Sequence, residues 1–285
     1  MKELFRILKI VRHRLKTYTI RIYVWWIAYI PNEVISIALA LSSWYYYTVF
    51  VSPEEAEAYI GGFLSYIIIG LMLAPLFEMA MRSPEEVMRG LYWGYTSLGG
   101  FKIPRWAYYY LAGASRADAF VGSLIFEFLV FLVRLGIYAG LGTAIFGLRL
   151  SPDPNLGAAF LFTLLGFLAS LAIGFMVANT FWLFLHFREA ALNPFVWFLT
   201  LLPNVVGGVY FPIEILHPAL KAIGRLLPHY YAFDGVRKAL LAGNSLAQLR
   251  HLLPPLLFYT TLLLPLGILS FKYFERYMVY KAKKI

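Results

Sequence analysis

The 285-residue chain contains no cysteine, which removes disulfide staples, thiolate nucleophiles and cysteine-ligated zinc or iron–sulfur sites. It is also short of charge: charged residues make up 14% of it, against about a quarter in soluble domains. Acids are the scarcer sign, with 15 Asp and Glu against 25 Lys and Arg. No G-x-x-x-x-G-K-[ST] run is present to cradle nucleotide phosphates, and no H-E-x-x-H to place two imidazoles on zinc. Ser97-Leu98-Gly99-Gly100 reads as a loop or helix break rather than a nucleotide contact. His13, His186, His217, His229 and His251 are scattered without ligand spacing, so neither a metal site nor a catalytic residue is assigned. Internal repeats and low-complexity stretches are lacking as well.

What the chain does have is apolar length. Hydrophobic residues make up 61% of it and the mean hydropathy is +0.69, values that belong in a bilayer. Crossing the hydrocarbon layer takes about 20 helical residues, and six runs qualify. They are Tyr23 to Phe50, Tyr59 to Phe77, Ala119 to Phe146, Leu156 to Leu185, Phe195 to Phe211 and Leu253 to Phe274. Pro31, Asn32 and Glu33 interrupt the first, which predicts a kink or a span that enters lipid near Val34. The first run is too long for the apolar region of a signal peptide and lacks a small-residue cleavage site. An all-α integral membrane protein with six transmembrane helices is expected.

The net charge of +10 could point to nucleic acid, but the basic residues cluster at the ends of the apolar runs. Seven Lys and Arg precede Tyr23, five lie between Arg82 and Arg116, one is Arg188, and five follow from Lys272. By the positive-inside bias both termini are then cytoplasmic and nucleic acid is not a partner. Arg149, Lys221, Arg225, Arg237, Lys238 and Arg250 fall on the opposite side, while the first outer loop carries Glu54, Glu55 and Glu57 and no cation. Residues 1–22 place Leu4, Leu8, Val11, Leu15, Tyr18 and Ile22 on one helical face and Lys2, Arg6, Lys9, His13 and Lys16 on the other. Such a basic amphipathic helix suits the cytoplasmic interface of the bilayer. Residues 23–285 read as one six-span transmembrane domain.

Glu127 and Arg134 stand inside the third run, where a charge costs at least about 2.5 kcal/mol unless protein or water receives it. Seven residues apart on one helix, each needs a partner from elsewhere, in either a pathway or an interhelical ion pair. Gly166, Ser170, Gly174 and Ala178, four apart, and Gly136 with Gly140 predict close helix packing. The clusters Trp44-Tyr45-Tyr46-Tyr47 and Tyr108-Tyr109-Tyr110 predict interfacial belts. The segment 78–118 is expected to be a cytoplasmic loop whose Glu85, Glu86, Arg89, Lys102, Arg105 and Trp106 offer a docking surface to a soluble protein.

After the fifth run comes Gly207-Gly208-Val209-Tyr210-Phe211-Pro212-Ile213-Glu214, then Pro218 to Leu227, then Pro228 with Tyr230, Arg237 and Gly243. Three prolines forbid one continuous helix here, and the glycines permit sharp reversals. This pattern resembles the segment before the last span in ATP-binding-cassette exporter permeases of the type-2 class, which include the daunorubicin-resistance permeases and relatives that export polysaccharides. The resemblance implies short outer helices over 212–252 that re-enter the outer leaflet, with Gly207, Gly208, Phe211, Pro212, Glu214, Pro228, Arg237 and Gly243 in an outer gate. It also implies a cytoplasmic coupling region at Glu85, Glu86, Arg89-Gly90 and Pro104-Arg105. Further implied are a separate nucleotide-binding ATPase that carries the ATP and Mg, no cofactor on this chain, and a dimer with an identical or second permease in the plasma (inner) membrane. The expected cargo is an amphipathic drug or lipid, with lipid-linked polysaccharide as the alternative. From other classes, an intramembrane transferase on lipid intermediates would need convergent acids or histidines at one depth, and an ion-coupled carrier an inverted repeat.

Overall fold

The computed structural model describes residues 2–47, 59–92, 95–98, 101–104, 113, 115–180 and 194–282. Helix α1 (Lys2–Tyr47) is unbroken. The basic amphipathic segment and the expected first span are therefore one rod, with no boundary after residue 22. Pro31 lies inside the helix, so the expected break becomes a local loss of one backbone bond, which intramembrane helices tolerate where neighbours re-satisfy the freed groups. On the predicted apolar face Leu4 and Leu8 remain exposed, whereas Val11 is buried.

Helix α2 (Phe63–Tyr92) runs 15 residues beyond the expected end at Phe77 and through Pro75 and Pro84. What reads as a charged loop from residue 78 is helix as far as Tyr92, because its charges fall at i, i+4 spacing and pair along the helix. Arg82 bonds Glu78 at 2.7 Å, and Arg89 pairs with Glu85. Strands β1 (Tyr95–Leu98) and β2 (Phe101–Pro104) then form an antiparallel hairpin, with Tyr95 opposite Pro104 and Leu98 opposite Phe101. Helix α3 (Arg116–Ala144) opens on a reciprocal cap in which Ser115 Oγ accepts from Asp118 N and the Asp118 carboxylate accepts from Ser115 N. The expected 78–118 loop thus contracts from both ends.

Helix α4 (Leu156–Ala178), capped by the Asn155 side chain on Ala158 N, is the hub of the bundle. Its small-residue stripe packs as predicted. A methyl on Gly166 would meet the Ala232 side chain at 2.6 Å and the Phe77 ring at 2.7 Å. One on Gly174 would meet the Met81 and Ala80 carbonyls at 2.6 and 2.9 Å. Pro84 has no N–H to offer the Ala80 carbonyl four residues earlier, and α4 approaches where α2 is weakened. Gly136 and Gly140 have nothing close to them, so the expected close packing there is not found among the described residues.

Helix α5 (Pro194–Val206) is followed by a 3-10 turn (Ile213–Ile215), α6 (Pro218–Leu226) and α7 (Pro228–Leu241). Each of Pro212, Pro218 and Pro228 marks the break predicted for it, the last two as first-turn residues. The last rod comprises α8 (Leu246–Leu249), α9 (Leu253–Phe258), a π turn (Tyr259–Leu263) and α10 (Leu264–Ala282).

Among the described residues four helical stretches are long and apolar enough to cross a membrane: Phe63–Arg89, Ala117–Ala144, Leu156–Ala178 and Leu246–Phe274. The expected six are not recovered. Of the expected fifth span, helix α5 covers Pro194–Val206, and residues 181–193 before it lie outside the described residues. The end of the expected fourth span, beyond Thr180, lies outside the described residues. The outward faces of α3 and α10 expose Leu132, Val133, Leu266 and Leu269, an apolar surface suited to lipid.

Candidate functional site

The fingerprint after α5 folds around one buried cation. Pro203 lies inside α5 and its carbonyl accepts from Gly207 N at 2.9 Å, and Gly208 turns the chain at φ +85°, a conformation that side-chain-bearing residues rarely adopt. The turn leaves the carbonyls of Gly208 and Val209 pointing into the bundle without helical donors. Arg237 supplies them. Its guanidinium donates through Nη1 to Gly208 O, through Nη2 to Val209 O at 2.7 Å and through Nε to the Tyr66 backbone carbonyl on α2 at 3.0 Å.

Tyr66 closes the arrangement from the α2 side. Its ring lies 3.4 Å from the Arg237 guanidinium carbon, within cation–π range, and its hydroxyl donates to Gly208 O at 3.3 Å. Arg237 is 1% exposed. Burial lowers its pKa from the ordinary value, while Tyr66 and Asp234 pull it back up. Hydrogen bonds to a charged group are worth about 1.5–3 kcal/mol each, so this side chain holds α2, α7 and the turn together. Gly70 makes room for it, since a methyl there would lie 2.2 Å from Val209 O and 2.4 Å from Arg237 Nη2.

An aromatic cluster extends the same knot to α1. Trp44 stacks on Tyr210 with ring centroids 5.0 Å apart and lies 6.3 Å from both Phe63 and Phe211. Pro212 is buried behind it while Phe211 and Glu214 remain exposed. Tyr230 donates to the Glu214 carboxylate at 3.4 Å. Partial burial, followed by Asp234 and Glu214, raises the Tyr230 pKa. Gly243, with φ +68°, ends α7, where a methyl would lie 2.7 Å from Asp153 O. Of the predicted gate residues, Gly207 and Gly208 form the turn held by Arg237, Phe211 joins the aromatic cluster beside it, Glu214 meets Tyr230 on the first turn of α7, and Pro228 and Gly243 lie at the two ends of that helix.

His229, given no role by its sequence context, is 1% exposed on the first turn of α7. Its Nε2 lies 3.0 Å from Ser170 Oγ. Because that hydroxyl already donates to Gly166 O at 2.7 Å, Nε2 carries the hydrogen and Nδ1 keeps a lone pair, which has no partner among the described residues. Burial pushes the His229 pKa from 6.5 down to about 3. The unfolded chain therefore takes up this proton near pH 6.5 and the native state only near pH 3, so stability present above pH 6.5 is lost as pH falls through that window. Chemical denaturation in detergent should show about 2 kcal/mol lost between pH 7 and pH 5 through this residue, and His229→Gln should flatten the slope.

Arg134 finds its expected partner on another helix: it donates to Glu33 of α1 at 2.8 Å. The residue read as a span interruption is the counter-ion. Glu127 stays exposed on α3 and does not share that pair. In the predicted coupling region, Glu85 is only 2% exposed and is engaged by Arg89, whereas Glu86 is exposed. Glu85 therefore cannot present itself to a soluble partner as expected. Gly90 lies on the last turns of α2 and Pro104 ends β2, while Arg105 and Trp106 lie outside the described residues.

The model of the ABC-2 family transporter protein matches residues 106–272, more than half of the chain. The match contains α3 to α7, and so Arg237 and the turn it holds; Tyr66, Gly70 and the coupling helix precede it. No curated protein matches the chain.

Proposed function

The chain belongs to the ABC-2 transporter family, and on that premise we propose that it is the membrane half of an ATP-driven exporter, working as a homodimer or with a second permease. A multi-pass membrane permease of this family carries no ATPase of its own, and the sequence holds no phosphate-cradling motif. A separate nucleotide-binding subunit then supplies ATP hydrolysis with its Mg. The cargo is an amphipathic drug or lipid taken from the cytoplasm or inner leaflet of the cell membrane, with both termini cytoplasmic. The family match is the observation that carries this reading.

In this scheme the end of α2 and the β1–β2 hairpin receive motion from the ATPase, through Glu86, Arg89, Gly90 and Pro104, with Arg105 following. Helix α2 runs from this end, past Glu78 and Arg82, to Tyr66 and Gly70 beside Arg237. One continuous helix thus links the coupling surface to the turn after α5, which serves as the outer gate. Helices α6 and α7 are the re-entrant outer helices, which accounts for Lys221, Arg225, Lys238 and Arg250 at an outer interface rather than against the charge rule, Arg237 being buried in the bundle.

Charge reversal at Glu86 tests the coupling surface without disturbing the buried Glu85–Arg89 pair. Glu86→Lys should reduce co-purification of the cognate ATPase about tenfold in mild detergent, with the melting temperature of the permease unchanged, because rim charges act on association more than on folding. Undiminished recovery would remove Glu86 from the interface.

A further inference from the structure

Helix α6 packs on the end of α5 and on the 3-10 turn along Gly224, where a methyl would lie 2.2 Å from Val206 O and 2.7 Å from Ile213 Cδ1. Its C-terminus is held deep in the bundle. Tyr259, near the middle of the apolar stretch Leu246–Phe274, donates to Leu226 O at 2.6 Å, and Tyr231 donates to Arg225 O at 2.8 Å. The residues that follow agree on the depth: His229 Nε2 meets Ser170 Oγ at 3.0 Å and its ring lies 5.9 Å from that of Phe77, both partners standing near the middle of their own stretches. We propose that the Lys221–Arg225 flank of α6 receives the phosphate of an anionic, lipid-like amphiphile partway across the membrane. This names the head group of the cargo inferred for the permease and rests on that reading for its purpose, though not for its chemistry.

Two cations at this depth lack a counter-ion. Arg225 is exposed and Lys221 half-buried, and neither makes an ion pair among the described residues. Lys221 Nζ donates to the Glu214 carbonyl at 3.3 Å, which occupies one of its three hydrogens. The acids of this region are engaged elsewhere: the Glu214 carboxylate accepts from Tyr230 at 3.4 Å, and Asp234 pairs with Lys238 at 2.7 Å. Charge inside a bilayer is costly unless protein, water or an opposite charge receives it. Four residues apart, Lys221 and Arg225 also share one face of the helix and repel each other, and a single phosphate between them relieves both costs. Arg brings a planar fork and Lys a point charge, the two kinds of donor that bind phosphate.

The opposite flank of α6 decides for a lipid over a free anion. Leu220, Ile223 and Leu226 are exposed there at helical spacing, Leu226 at 72%. The bond from Tyr259 brings this flank beside the last rod, where Phe258 and Leu262 are exposed as well. Acyl chains lying on that surface stay within one helix diameter, about 10 Å, of the cations, whereas a soluble phosphate gains nothing from it. A cationic head group would bring a third positive charge to two that already lack a partner, so amphiphiles of that sign are excluded.

The test uses the full-length chain in an uncharged detergent without nucleotide or ATPase, titrated calorimetrically with dihexanoyl phosphatidylglycerol, dihexanoyl phosphatidylcholine and inorganic phosphate. Phosphatidylglycerol should bind about tenfold more tightly than phosphatidylcholine, whose phosphate carries its own cation, and about tenfold more tightly than inorganic phosphate. Lys221→Gln and Arg225→Gln should each weaken phosphatidylglycerol about tenfold, at an unchanged melting temperature, while Arg225→Lys keeps most of the affinity. Arg250→Gln, which removes an exposed cation from the last rod, should leave it unaltered. Equal binding of the two lipids, an undiminished preference in both glutamine variants, or an equal loss in Arg250→Gln overturns the site, and inorganic phosphate binding as tightly as phosphatidylglycerol overturns the lipid. Should a glutamine variant fail to fold, the wild-type preference together with Arg225→Lys and Arg250→Gln still decides. Since no ATPase is present, failure here leaves ATP-driven export standing, and failure of export leaves a lipid site to be measured.

Discussion

Arg237→Ala is expected to cost on the order of 3–5 kcal/mol. The substitution removes three donors at once and leaves the carbonyls of Tyr66, Gly208 and Val209 buried without them. It also removes the cation from the Tyr66 ring. Lysine keeps the charge but replaces a planar fork with a single ammonium, so Arg237→Lys should recover part of the stability and none of the three-way geometry. Thermal melts in detergent, followed by fluorescence-detected size exclusion, would rank the three proteins as wild type, then lysine, then alanine. An alanine variant that melts with the wild type would show the guanidinium to be a passenger.

Gly70→Val is expected to be nearly as severe, by about 3 kcal/mol or more, through overpacking rather than loss of a bond. Even the first carbon of the new side chain would occupy space within 2.4 Å of Arg237 Nη2 and 2.2 Å of Val209 O, both of which are fixed by the contacts just described. Either α2 must shift away from α7 or the guanidinium must leave its carbonyls. Because both routes destroy the same interaction, the two substitutions should not add: Gly70→Val in the Arg237→Ala background should cost far less than in wild type. Additive melting shifts would separate Gly70 from the knot.

These residues show where sequence reading stopped. The prolines at 212, 218 and 228 were legible because each acts locally on its own backbone, and Arg237 could be placed in the right segment by pattern. Its partners were not, because Tyr66 stands 171 positions away inside an apolar run with no distinguishing period. Glu33 is a similar case, since it looks like an interruption until folding brings Arg134 beside it. Helix α2 outruns the expected end at Phe77 because charged residues signal a span end by composition, whereas i, i+4 pairing lets the helix carry them onward. The hairpin has a readable signal in Gly99-Gly100 between Tyr95–Leu98 and Phe101–Pro104, although the same glycines read equally as a loop or helix break.

Within the proposed exporter the Arg237 knot has a mechanical consequence. It joins α2, whose far end bears the coupling surface, to the turn that ends α5 and, through Trp44 and Tyr210, to α1. Motion delivered at Glu86 would reach the outer turn along one helix, with Pro75 and Pro84 as the points where that helix bends at least cost.

The most direct measurement is transport of a fluorescent amphiphile by the permease and its cognate ATPase reconstituted into proteoliposomes. ATP with Mg should drive its movement away from the ATPase-bearing face, and a catalytically dead ATPase should abolish it. Movement that proceeds at the same rate without ATP, or that follows an imposed ion gradient instead, would contradict the assignment of this chain as the membrane half of an ATP-driven exporter.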